Sequence, residues 1–384
     1  MRRLSLLMGI IAASLLLSSC VETNYLEKQG LITGIGYDQS EEKDKISGTL
    51  VYYQFNPAMK NLSTVITGVG ETSKGIRHGA NLESDHNLVS GQLRVVLYGE
   101  EIAKKGISSL VDTLSRDASI GNMIFLGVGT PTAEEILSFQ PKSQPANMGT
   151  YLYNLFQANI KNETIPNPTL QEFMTRFGSV GKDAILPQIA IIQDKIGIDG
   201  FALFSDDRQV GVLDREKIFY VRSLMDQLKA SSAEVELPTE PFEKEIKEAA
   251  SSTEDEKHQE KLHFMLDNIK SNHKIEVTDK SKPSFNIKLK LESRILEMTV
   301  PFNLSEAAVL KKVEDVMAKA MEEKAMKVLK EIQETGSDPI GFGSHYRAIS
   351  RDTKLTKEMW SEIYPKAEFN LDIEMKIIRT GIID

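Results

Sequence analysis

The sequence predicts an α+β fold of about three subdomains, with mixed or antiparallel sheets packed by helices. Three observations carry this. Phe285, Ile287, Leu289 and Leu291 alternate with polar residues, and so do Phe369, Leu371, Ile373, Met375 and Ile377, which is the period of half-buried strands. Between them Leu310, Val313, Met317, Met321, Ala325, Val328 and Ile332 recur every three or four positions and predict one long amphipathic helix over about 305–334. In the first half of the chain, short apolar strands and helical patterns follow one another across polar turns.

Taken in order, the chain begins with Arg2 and Arg3, an apolar run from Leu4 to Leu17, and the small residues Ser18 and Ser19 before Cys20. That is the form of a signal peptide over 1–19. The run is shorter than the about 20 residues a spanning helix needs. Leu31–Asp38 and Ile46–Phe55 read as two strands of a hairpin, joined by the solvated turn 39–45. Gly68–Gly75 has the look of a phosphate loop, but Lys74 is followed by glycine where Ser or Thr is required, so a strand end leading into a helix at about 73–82 is the expectation.

Leu93–Leu97 predicts a strand, followed by one helix through Ile102, Ile107, Leu110, Val111 and Leu114 that closes at Arg116 and Asp117. Asn122–Val128 is a further strand, and Pro131 suits the first position of the helix carrying Ile136 and Leu137. Tyr151–Ile160 reads as a helix. Ile198–Phe204 and Gln209–Leu213 flank the polar turn 205–208 as a second hairpin.

Ser231–Lys261, rich in Glu, Lys, Ser and Thr, is expected to be a linker with partial helix. Ser305 is placed to cap the long helix, with Glu306 in its first turn. The methionines of its stripe are expected in the core, and Trp360, in a short helix over 355–364, as an aromatic anchor. The expected division is a signal peptide over 1–19, an N-terminal α+β domain over 20–195, a middle segment over 196–264 and a C-terminal α+β domain over 265–384.

Composition narrows the function. The 55 acidic and 46 basic residues are spread along the chain, without the basic stripe that nucleic acid requires. A single cysteine rules out a disulfide within the chain. There is no nucleophile elbow, no His-Glu-x-x-His and no complete dinucleotide fingerprint. His258 and His263, five apart, would splay around a helix and make no zinc pair. Asp85, His86 and Ser90 supply the residue types of a triad, but adjacency in sequence does not make its geometry. No catalytic residue, cofactor or metal is expected. Asp338-Pro339-Ile340-Gly341-Phe342-Gly343 is the densest punctuation in the chain; it stops the long helix, and Asp338, Pro339, Gly341, Phe342 and Gly343 are the candidate for a loop that touches a partner.

Leu17-Ser18-Ser19-Cys20 resembles a bacterial lipobox, which implies S-diacylglycerol and N-acyl chains on Cys20 after cleavage. Two chains make a durable anchor where one gives only marginal binding. With Gly30–Asp38, Leu93–Ala103, Leu114–Asp117, Gly200–Phe204, Gly211–Leu213, Asp338–Gly343 and the closing strand to Arg379-Thr380-Gly381, the sequence resembles the Ger(x)C family along its whole length. These are the lipoprotein C subunits of spore germinant receptors. The resemblance implies a non-enzymatic role in nutrient-triggered germination, beside membrane-embedded A- and B-type subunits at the outer face of the spore's inner membrane. An importer's substrate-binding lipoprotein is the alternative. It would need two α/β lobes about a hinge, which the C-terminal third does not suggest. A lipoprotein hydrolase would need a nucleophile motif.

Overall fold

The computed structural model describes residues 26–55, 62–140, 147–250, 261–279, 282–301, 303–349 and 355–380. Cys20, the signal peptide, His258 and Gly381 lie outside the described residues.

The first hairpin forms as expected: β1 (Gln29–Gln39) pairs antiparallel with β2 (Ile46–Gln54), and β3 (Leu62–Gly70) continues the meander. The strand end at Gly70 leads into α1 (Ser73–Glu83), whose first turn is capped by the Thr72 hydroxyl accepting from Gly75 N–H. A short β4 (Asn87–Val89) and then β5 (Val95–Gly99) pair parallel with β1.

The single helix expected after β5 is two, α2 (Glu100–Lys105) and α3 (Ser108–Ser115). Gly106 breaks it at φ +121°, and Ile107 N–H is drawn off to the Asp207 carbonyl at 3.0 Å. The stripe is continuous in sequence, but a distant loop captures the amide that would extend the helix.

After β6 (Phe125–Gly129), helix α4 (Ala133–Ser138) starts at an N-cap of Thr132. Pro131 therefore stands before the cap and not in the first helical position. Helix α5 (Met148–Lys161) covers the expected 151–160, and α6 (Leu170–Phe177) follows. The start of α6 is marked by Thr169-x-x-Glu172, a capping-box signal that apolar spacing alone passes over.

Strand β7 (Ile185–Ile192) and the hairpin β8 (Lys195–Ser205)–β9 (Arg208–Asp214) finish the first sheet. Among the described residues it has nine strands in the order β3-β2-β1-β5-β6-β7-β8-β9, with β4 beside β1; its parallel centre is flanked by antiparallel hairpins.

Helix α7 (Ile218–Met225) leads to a second sheet of β10 (Ser231–Pro238), β11 (Lys261–Asp279), β12 (Ser284–Met298) and β13 (Glu368–Thr380), with α8 (Glu243–Ala250) after β10. The linker reading of Ser231–Lys261 is thus corrected at its start. Val235 and Leu237 are buried, and Leu237 lies opposite Leu262. The polar composition belongs to an edge strand with one wet face. The middle segment over 196–264 is shared, its hairpin in the first sheet and β10 in the second.

The long helix is α9 (Ala307–Thr335). Its N-cap is Glu306 with no side-chain cap bond, so Ser305 does not cap it. Val313, Met317, Met321, Ala325, Val328, Leu329 and Ile332 are buried, the methionines as core. Each large apolar side chain so buried contributes about 1.5–3 kcal/mol. The strands flanking α9 pair parallel, Phe285 beside Phe369 through Leu291 beside Met375. A helix between two strands of one sheet is the crossover that parallel pairing requires. Helices α10 (Phe342–Ile349) and α11 (Lys357–Ile363) complete the crossover. One apolar cluster runs through both sheets, from Leu203 and Leu213 to Ile287 and Val328.

Candidate functional site

A dense polar constellation forms where the two sheets meet, and it centres on Asp338. This carboxylate is fully buried. Its Oδ1 accepts from the Gly341 and Phe342 N–H groups at 2.8 and 3.0 Å. Its Oδ2 accepts from Gly343 N–H at 2.9 Å and from Trp360 Nε1–H at 3.2 Å. Burial pushes the Asp338 carboxyl up to about 7; the turn amides pull the other way, and neighbouring Asp183 adds to the rise.

The expected exposed loop is therefore corrected. Pro339 and the rest of 337–343 are buried, because the turn wraps its own amides around an acid. Phe342 tucks between Phe369 and Phe285, at ring-centre distances of 4.6 and 5.0 Å. Trp360 is the expected anchor, packed on Tyr346 and Tyr364. Gly341 has φ +93°, a conformation that excludes most side chains. A Cβ on Gly343 would stand 2.4 Å from Gly181 Cα, so the two backbones are in direct contact.

The first half of the chain supplies the other side of this joint. Asp183 Oδ2 accepts from Asp338 N–H at 2.8 Å, and Asp183 N–H donates to the Asp338 carbonyl at the same distance. Arg176 Nη1 donates to the Pro339 carbonyl at 2.8 Å, while its Nε donates to Glu172 at 2.6 Å. Ser337 donates to the Phe204 carbonyl, and Lys357 donates to the Phe177 carbonyl, both at 2.6 Å. Burial also raises the Asp183 carboxyl. Arg176 and Asp183 are absent from the sequence-derived candidates. Helix α6 positions Arg176, so the box at Thr169 is the one local signal that points towards it.

A second, smaller constellation sits beside β4. Arg77 on α1 donates through Nη2 to Asp117 Oδ2 at 2.8 Å, and through Nη1 to Ser90 Oγ. The guanidinium holds the Asp117 carboxyl down at about 2, helped by Ser119. His86 Nδ1 lies 2.6 Å from Asp85, but Ser90 faces Arg77, so these three residues form no relay.

Asp38 makes a third joint, accepting from the Ala133 and Glu134 N–H groups of α4 at 2.8 and 2.9 Å. A Cβ on Gly99 would stand 1.9 Å from its Oδ1. Asp38, Gly99, Asp117 and Asp338 all belong to the stretches that carry the resemblance, and all serve as joints between elements.

Among the described residues no group of three or more His, Cys, Asp or Glu is disposed to hold a metal ion. None of their helices is long and apolar enough to cross a membrane. Asp338, Asp183, Asp117 and Asp38 each hold segments together through their hydrogen bonds.

The spore germination protein N-terminal domain matches residues 22–191, and the spore germination B3/GerAC-like C-terminal domain matches 199–381. Spore germination protein GerQC of Bacillus cereus is 26 % identical over 372 residues, covering 97 % of each chain. Spore germination protein B3 of Bacillus subtilis (strain 168) is 21 % identical over 385 residues, covering 96 % of each. The crystal structure of the GerBC protein shares the fold, with a TM-score of 0.52 and 18 % identity over 90 % of this chain and 97 % of that one. With two family domains matched in tandem and a full-length relative, this chain belongs to the Ger(x)C family of spore germination proteins.

Proposed function

We propose that the chain is a non-enzymatic subunit of a spore germinant receptor, required for nutrient-triggered germination. It is tethered through lipidated Cys20 to the outer face of the spore's inner membrane, beside membrane-embedded A- and B-type subunits. The observation that carries this reading is the tandem match of both family domains along nearly the whole chain. The lipobox Leu17–Cys20 supports the tether. A lipid anchor raises the effective concentration of the body near its membrane partners, so weak contacts suffice to hold the complex. The saturated carboxylates support a scaffold, since Asp338 has no hydrogen-bonding direction left for a substrate.

Deletion of the gene should abolish or slow germination on at least one nutrient. A normal response to every nutrient, in a strain lacking paralogues, sinks the proposal. Cys20→Ala should leave the precursor unlabelled by a fatty-acid probe and impair germination while the body stays folded. Continued labelling of the variant would show that the lipid is carried elsewhere.

A further inference from the structure

Four of the large apolar side chains that remain in solvent gather at one end of the first sheet. Leu26 is 47 % exposed, Phe55 50 %, Leu82 77 % and Met123 63 %. The strand register brings them together. Leu26 precedes β1 and Phe55 follows β2, whose ends meet where Gly30 pairs with Gln54. Helix α1 runs back from the far end of β3, so Leu82 in its last turn comes down beside β4, and Asn87 at the start of β4 pairs with Gln29. Met123 lies just before β6, which enters the sheet from this same end because β1, β5 and β6 are parallel. Beside Leu26 an open groove is lined by Leu31, Leu88 and Val89 together with polar Gln29, Gln92 and Ser119 and the Arg77–Asp117 pair. At the opposite end, exposed Val69 and Ile191 stand on β3 and β7, with four strands between them.

Clustered apolar surface of this kind marks a contact, and the chain itself says with what. Cys20 is six residues before Leu26. Six residues reach at most about 20 Å, so a lipid on Cys20 keeps this end of the sheet within about that distance of the bilayer. The charges beside the tips, Glu27, Lys28, Glu83 and Asp85, are acidic on balance. Electrostatic attraction is therefore not the force, and burial of apolar side chains at the headgroup boundary is.

We propose that this end of the first sheet docks on the phospholipid bilayer, with Leu26, Phe55, Leu82 and Met123 seated in the interface. The body is then oriented on the membrane as well as tethered to it. The inference rests on the lipidation of Cys20 proposed above.

The lipidated full-length chain offers a direct test, because its only cysteine is blocked and an introduced one is the sole free thiol. Leu82→Cys, Met123→Cys, Phe55→Cys and, as the far-end control, Val69→Cys would each carry an environment-sensitive dye. The chains are bound to phosphatidylcholine vesicles with brominated acyl chains. Dyes at the first three positions should be quenched by the bromines, and the dye at Val69→Cys should not. Adding Leu82→Glu and Met123→Glu should reduce quenching at Phe55→Cys at least about threefold. These are surface positions, so the fold is not put at risk.

If the chain floats with vesicles and all four dyes stay aqueous, the docking is overturned while the tether stands. A chain that does not float overturns the tether and the docking together. Dyes that become shielded only when the membrane subunits are added assign the patch to a protein contact and overturn the lipid proposal.

Discussion

Asp338 and Asp117 are both aspartates that hold segments together, yet their surroundings drive them in opposite directions. Asp338 is fully enclosed among aromatic rings and accepts four hydrogen bonds from neutral N–H groups, and its carboxyl rises to about 7. Asp117 sits near the surface against the Arg77 guanidinium, and its carboxyl falls to about 2. Four neutral donors do not offset the loss of water, whereas one fixed cation at a partly solvated site more than does. The first arrangement makes a joint that the fold depends on, and the second a clamp that it can lose.

The largest effect separating the two should come from removing the buried acceptor. Asp338→Ala leaves four donors unpartnered in the interior and should cost about 3–5 kcal/mol. Denaturant unfolding should show both sheets loosening together. If the two sheets instead unfold in separate steps with the first unaffected, Asp338 does not join them.

Gly343→Ala comes next, at about 3 kcal/mol, because the added methyl has Gly181 backbone on one side and the Trp360 ring, at 2.6 Å, on the other. A substitution that left the melting temperature unchanged would show that the two backbones can part freely. Asp117→Asn should be milder, about 1–2 kcal/mol, since the amide retains one acceptor for Arg77 and water reaches the site.

Opposite in sign are the pH dependences. The folded value of Asp338 lies above its ordinary 3.8, so the folded state binds the proton more tightly, and stability falls as pH rises from about 4 to about 7. The folded value of Asp117 lies below 3.8, so its contribution is present above that value and is lost as pH falls towards 2. Unfolding measured at pH 5 and pH 8 should show a decline that Asp338→Asn reduces and Asp117→Asn leaves in place. The same decline in both variants would remove Asp338 as its source.

Much of the scaffold around these joints was legible in the sequence. The β1–β2 and β8–β9 hairpins, α5, and the stripe of α9 all rest on local period and turn chemistry, which act over a few residues. The joints were less so. Asp338 reads as punctuation in an exposed loop, because the groups that bury it, Arg176 and Asp183, lie more than 150 positions earlier. Gly106 reads as one residue within a helix until the Asp207 carbonyl takes the amide of Ile107.

The sequence by itself determined the family, the order of most elements and the apolar faces they would bury. Tertiary structure alone decided that the chain enters Ser231–Pro238 as an edge strand, that β12 and β13 run parallel across α9, and that the Asp338 turn faces inward. The physical reason is one of range. Periodicity and capping are read from neighbours in the chain, whereas the cost of burying a carboxylate is offset only by donors that the completed fold brings from elsewhere.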